Sequence, residues 1–184
     1  MRIFKRIINL LLFPAKEWKN IAEENNSRKS VYVRYVVPLL CMMTIATIVG
    51  SWLNTPRELY SAGYVICRIA VLWASISGGL FMSAFVVTGI LEDNKSDYVL
   101  IAYSLSATYI VIVIVSLLPF FKEFLVLSLY SFYLFWQGIP YLINLEGEQR
   151  MKYGLLSLTI TVLTHLLVFF LFRNIFNSIY ANLS

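Results

Sequence analysis

His165 is the only histidine in the chain, and Ser157, Thr161 and Thr164 precede it in an otherwise apolar run, so that the four fall at i, i+4, i+7 and i+8. Helical geometry gathers these polar side chains into one stripe. An imidazole among hydroxyls could relay protons, line a polar path, or serve as base to a serine or threonine nucleophile, and an ionisable group inside a membrane span is a functional candidate by default. A neutral ring bonded to a hydroxyl or carbonyl is the simpler reading and the preferred one, because no span carries an acidic partner. Ser75, Gly79 and Ser83 also recur every fourth residue, with Gly78 beside them. Their small side chains make a groove in which another helix can approach closely, with a substrate path as the alternative. Gly138 and Pro140 form a further pattern. Pro140 has no N–H for the Trp136 carbonyl, so a kink near Gly138 is expected, serving packing or lining a cavity.

Recognised catalytic constellations are missing. One histidine excludes H-E-x-x-H metal chemistry. Asp93 and Asp97 fall between apolar runs and are assigned to a loop, which removes the buried pair an intramembrane aspartyl protease needs. No G-x-S-x-G elbow accompanies His165, and no Gly-rich phosphate loop occurs. Cys41 and Cys67 form no C-x-x-C or Cys/His cluster and read as packing residues. The expectation is a non-enzymatic protein without cofactor or metal, with a hydrolase using Ser157 or Thr161 with His165 as the remote alternative.

The elements that must position these residues are legible from charge. Residues 35–53, 69–91, 98–121, 124–145 and 153–172 contain no Asp, Glu, Lys or Arg. Each is about as long as the roughly 20-residue helix that crosses a 30 Å hydrocarbon core. Of the 184 residues 59% are hydrophobic and 14% charged, more apolar than a soluble surface tolerates. Backbone groups in lipid must pair within the segment, so the fold class is all-α, a polytopic membrane bundle of five transmembrane helices. Lys122-Glu123, with Pro119 before them, interrupt what would otherwise be a helix of about 72 Å, so a tight hairpin is required there.

The first 34 residues hold eight basic and three acidic side chains, and the remainder holds seven of each. The net charge of +5 therefore describes one flank facing a membrane surface, and no nucleic-acid motif accompanies it. At 100° per residue Ile3, Phe4, Ile7, Ile8 and Leu11 share one face and Arg2, Lys5, Arg6 and Asn9 the other. Such a helix either lies at the headgroups, its cations against anionic lipid, or packs on the bundle end. Phe13-Pro14 reads as a break and restart, with no small-x-small cleavage site after it, and the segment is read as retained. Trp18 is expected at the membrane interface. Arg68 is expected to snorkel to the headgroups from the start of the second span. The positive-inside rule selects a cytoplasmic N-terminus and, after five crossings, an extracytoplasmic C-terminus.

These layouts give residues 1–34 as a basic amphipathic segment, 35–176 as the transmembrane domain and 177–184 as a short tail. The chain resembles the Yip1 domain family. "FPAKEWKNIAEE" is similar to its short Pro-x-x-x-Trp helix, Pro38 to the proline opening its first span, and "AYSLSATY" at 102–109 to its Tyr-Ser entry to the third. "LYSFYLFWQGIPYLINLEGEQRMKYGL" at 129–155 matches best, through Tyr130, Tyr133, Gly138 and Pro140. The resemblance implies a five-span membrane protein with a cytoplasmic N-terminus. No D-L-Y-G-P motif occurs and Ala107-Thr108-Tyr109 stands where the family often has a proline, so Rab-type GTPase binding is not carried over. The short N-terminus resembles the prokaryotic branch, which implies a bacterial inner membrane. The expected function is membrane organisation through helix–helix, lipid or protein contacts, with anionic lipid at the N-terminus and a homo-oligomer or membrane-protein partner. A small transporter or channel subunit, with its path near His165 and the Gly138–Pro140 kink, is the alternative.

Overall fold

The computed structural model describes residues 2–56, 61–91, 95–143, 145 and 147–181, which are helical apart from short connections. Helix α1 (Arg2–Leu12) stops at Phe13, and α2 (Pro14–Glu24) restarts with Pro14 in its first turn, where a missing N–H costs nothing. Asn25 closes α2 in the left-handed region at φ 42°, and Ser27 caps the short α3 (Arg28–Val31) by accepting the Ser30 N–H at 3.2 Å. A π turn (Tyr32–Val36) then leads into α4 (Val37–Asn54), the Val37 N–H reaching back five residues to the Tyr32 carbonyl. Pro38 lies in the first turn of α4 and cannot donate to the Arg34 carbonyl, so the wider turn falls where regular pairing would fail in any case.

The remaining elements are α5 (Ala62–Leu91), α6 (Lys95–Ser104), α7 (Ser106–Leu117), a 3-10 segment (Pro119–Leu129), α8 (Tyr130–Leu142) and α9 (Gly147–Ala181). Among the described residues four helical stretches are long and apolar enough to cross a membrane: Arg28–Asn54, Ala62–Gly89, Ser96–Leu117 and Gly147–Ile175. The chain is thus an all-helical integral membrane protein, but the expected fourth span does not form one such helix. Residues 124–142 are divided between the 3-10 segment and the 13-residue α8. The required hairpin is present, with Leu118 and Phe121 leaving helical geometry on either side of Pro119, and the 3-10 segment folds back against α7. Helix α9 runs through Ala181, so residues 177–181 of the expected tail belong to it.

Helix α6 is the centre of the bundle, every residue from Asp97 to Ser104 being buried. It packs on α8 and α5, while α5 lies along α9 and α4 along α7. The α4–α7 approach needs a glycine: a Cβ on Gly50 would lie 1.7 Å from the Ser116 carbonyl oxygen. Arg68, inside α5, is exposed and donates to Ser51 Oγ of α4 at 3.1 Å.

The two N-terminal helices fold into a hairpin lying along α8. The Tyr130 hydroxyl donates to the Leu11 carbonyl at 2.8 Å, at one end of α8, and Trp18 packs on Gly138 farther along it. The expected apolar face of α1 is therefore split. Ile7 is buried with Leu10, whereas Phe4 and Ile8 face outward with Leu12 and Phe13 at the tip.

Candidate functional site

The polar stripe of α9 and the small-residue groove of α5 prove to be the two sides of one seam. A Cβ on Gly79 would come within 2.6–2.9 Å of His165 ring atoms, and one on Gly78 within 3.2 Å of Val168. The groove is filled by the imidazole. Each hydroxyl of the stripe bonds within its own helix: Ser157 to Tyr153 O at 2.6 Å, Thr161 to Ser157 O at 2.8 Å and Thr164 to Ile160 O at 2.8 Å. Across the seam Ser83 Oγ lies 2.5 Å from Thr164 Oγ1 and 3.1 Å from His165 Nδ1. That Nδ1 also lies 2.9 Å from the Thr161 carbonyl oxygen, which can only accept, so Nδ1 carries the proton. A nitrogen already donating to a carbonyl cannot take a proton from Ser83. Ser157 is eight residues from His165, about 12 Å along the helix, so it is not its partner either. Ser75 is buried in the same face of α5.

Trp18, expected at the membrane interface, is fully buried within the protein. A Cβ on Gly138 would meet its ring at 2.8 Å and Leu100 Cδ1 at 2.5 Å, so the glycine serves the close approach of α2 to α8. Helix α8 runs uninterrupted through Gly138 and Pro140. The carbonyl released by Pro140 is paired from outside the helix: Arg150 Nη2 donates to Trp136 O at 3.0 Å, and its guanidinium carbon sits 5.3 Å from the Trp136 ring centre. The space near the expected kink is filled by a tryptophan.

The assignment of Asp97 to a loop is corrected by the structure. It lies in the first turn of α6 and is fully buried, accepting from the Tyr153 hydroxyl at 2.5 Å and from Thr88 Oγ1 at 3.0 Å. Three helices, α5, α6 and α9, thus meet on one carboxylate, and a span does possess an acid. Its only trace in the sequence is its position immediately before an apolar run, which a helix-start carboxylate and a loop carboxylate share. Asp93 lies outside the described residues.

A half-open polar cavity of about 880 Å³ lies between the N-terminal hairpin, the α3–π turn segment and α6. Buried Glu17, Tyr35 and Tyr103 form its floor, and exposed Lys5, Lys16 and Arg34 stand at its rim. Arg6, on the polar face expected to meet either the headgroups or the bundle end, turns inward. Its Nε donates to Glu17 at 3.1 Å, its two terminal nitrogens to the Glu24 carboxylate, and Nη1 also to the Tyr103 hydroxyl at 3.2 Å. The Glu24 hydrogen bonds, reinforced by Tyr103, hold the Arg6 guanidinium charged by raising its pKa further, against the opposing effect of burial. Asn9 and Asn20 complete the shell of Glu17, at 3.0 and 3.3 Å. The Arg2 side chain lies outside the described residues. Behind the floor, Tyr35 packs at a tilt against Tyr103 with ring centres 4.3 Å apart and bonds Ser106 at 2.5 Å, at the break between α6 and α7. Glu17 and Tyr35 were not singled out from sequence, and Tyr103 only as the Tyr-Ser entry to the third span. Arg6 and Glu17 are eleven residues apart on two helices, and only the fold of the hairpin brings them together.

Residues 8–170 match the family model described as the Yip1 domain. Among curated proteins and solved structures none matches.

Proposed function

We propose that this chain, which belongs to the Yip1 domain family, acts without catalysis as an organiser of the membrane, through contacts with lipid and with other spans. One observation carries the reading: His165 and Trp18, the side chains at the two candidate sites, each fill the gap beside a glycine of a neighbouring helix. His165 donates to a backbone carbonyl and fills the Gly79 groove, and Trp18 fills the Gly138 gap. What remains available outward is an apolar helical surface and the basic N-terminal face. The proposed arrangement has five crossings, the 3-10 segment and α8 together making the fourth, with residues 35–176 as the membrane domain, the N-terminus cytoplasmic and the C-terminus outside a bacterial inner membrane. A reporter fused after Ser184 that read as cytoplasmic would overturn this orientation.

Photo-cross-linking of the full chain in native membranes and in vesicles of anionic or zwitterionic lipid tests the function. Adducts with a second copy or another membrane protein, stronger in anionic vesicles, are expected. Monomers alone, with no dependence on lipid charge, would refute the reading.

A transporter role has one observation in its favour, the buried Asp97 with its Tyr153 and Thr88 partners. That centre, rather than the filled His165 seam or the Trp18-packed Gly138, is where coupling to a cation would reside. Flux in liposomes under a pH gradient, abolished by Asp97→Asn, would favour it. No flux in wild-type liposomes would remove it.

A further inference from the structure

We propose that the cavity beneath the N-terminal hairpin is a binding site for a phosphate-bearing anion, with an anionic phospholipid headgroup as the source. The proposal rests on the lipid-contact reading above and gives it a defined site. Four cations line the cavity, Lys5, Arg6, Lys16 and Arg34, against two carboxylates, Glu17 and Glu24. Both carboxylates are already paired with Arg6. Among the described residues Lys5, Lys16 and Arg34 have no ion-pair partner. With four cations against two carboxylates the lining is net positive, so the concavity favours an anion, and ammonium and guanidinium donors suit phosphate oxygens.

The surroundings resemble a lipid in their division of polarity. Asn9, Asn20 and Ser30 offer polar contacts in the same cavity, whereas Ile3 and Phe13 give it an apolar border. Phe13 is 62% exposed and Leu12 64%, at the hairpin tip on the Tyr130 side of α8. A headgroup phosphate among the three cations would leave its acyl chains free to run along the exposed apolar stripe of Phe4, Ile8 and Leu12. A soluble phosphate could satisfy the cations but would have no use for that stripe.

The test uses the full chain in nonionic detergent, with native mass spectrometry measuring binding of dihexanoyl phosphatidylglycerol, dihexanoyl phosphatidylcholine and inorganic phosphate. Phosphatidylglycerol should bind saturably, and phosphatidylcholine, whose choline neutralises its own phosphate, roughly tenfold more weakly. The triple variant Lys5→Gln/Lys16→Gln/Arg34→Gln should lose roughly a hundredfold in phosphatidylglycerol affinity, about fivefold for each cation. All three residues are exposed and lack ion pairs, so its helical circular dichroism and elution volume should match wild type. Lys19→Gln/Lys29→Gln removes exposed cations outside the cavity and should change affinity by no more than about twofold. Inorganic phosphate failing to displace the lipid supports the lipid source. Displacement at equal concentration retains the phosphate site and overturns the lipid assignment. Equal binding of the two lipids, wild-type affinity in the triple variant, or an equal loss in the control pair would overturn the site altogether. Lipid-dependent cross-linking could survive each of those results, so failure of the site and failure of the broader function are distinguishable.

Discussion

Gly79→Ala should destabilise the protein through one identifiable clash, and His165→Ala should relieve it. The added Cβ would lie 2.6 Å from His165 Cδ2 and 2.8 Å from Nε2, distances no side-chain carbon tolerates. The ring cannot simply rotate away, because Nδ1 is tied to Thr161 O and faces Ser83. Overpacking of this kind costs about 1–3 kcal/mol, and alanine's better helix propensity returns up to about 1 kcal/mol, for a net loss of roughly 1–2 kcal/mol. His165→Ala alone forfeits buried contacts and a hydrogen bond, about 1–3 kcal/mol. In the double variant the new methyl group enters space the imidazole has left, so the combined loss should fall short of the sum by about 1 kcal/mol or more. Equilibrium unfolding in mixed detergent micelles measures all four proteins of the cycle. Additivity within about 0.5 kcal/mol would refute the claim that this ring occupies the position of the missing Cβ.

Arg150→Ala should cost about 1–3 kcal/mol by orphaning the Trp136 carbonyl, and Pro140→Ala in that background should recover part of the loss by restoring an N–H to the helix, as thermal unfolding of both would measure. Asp97→Ala leaves the Tyr153 and Thr88 hydroxyls without their carboxylate. The same assay should register a loss of about 2–3 kcal/mol, and Tyr153→Phe in the Asp97→Ala background should then add little. Trp18→Ala empties the contact between α2 and Gly138 at a cost of about 3–5 kcal/mol. It should also free the hairpin, so that trypsin cuts at Lys16 or Lys19 faster than in wild type; an unchanged cleavage rate would show that Trp18 does not fasten the hairpin.

The sequence exposes features that are local and periodic. Pro14 and the cations flanking it forecast two short helices, and Pro119 with Lys122-Glu123 forecasts the turn that follows α7. Both Gly79 and His165 were visible as unusual residues. Their meeting was not, since periodicity marks one distinctive face on each helix but does not say which other helix that face packs against. Trp18 was ambiguous for a related reason, because indole favours the interface and a packed core alike, and only the fold seats its ring against Gly138. Asp97 shows the opposite difficulty: one carboxylate between apolar runs reads as loop until Tyr153, fifty-six residues later, supplies its hydrogen bond.

By itself, the sequence determined the solvent, the helical class and the asymmetry of charge, because an uncharged run of about 20 residues in lipid can satisfy its backbone only as a helix. Tertiary structure alone decided which polar groups would neutralise one another. It turned Arg6 inward to Glu17 and Glu24, buried Asp97 under Tyr153, seated His165 on Gly79 and left Lys5, Lys16 and Arg34 around an open cavity. Those pairings join residues on different helices, so they depend on how far apart the helices pack and in what register, neither of which is written in any one segment.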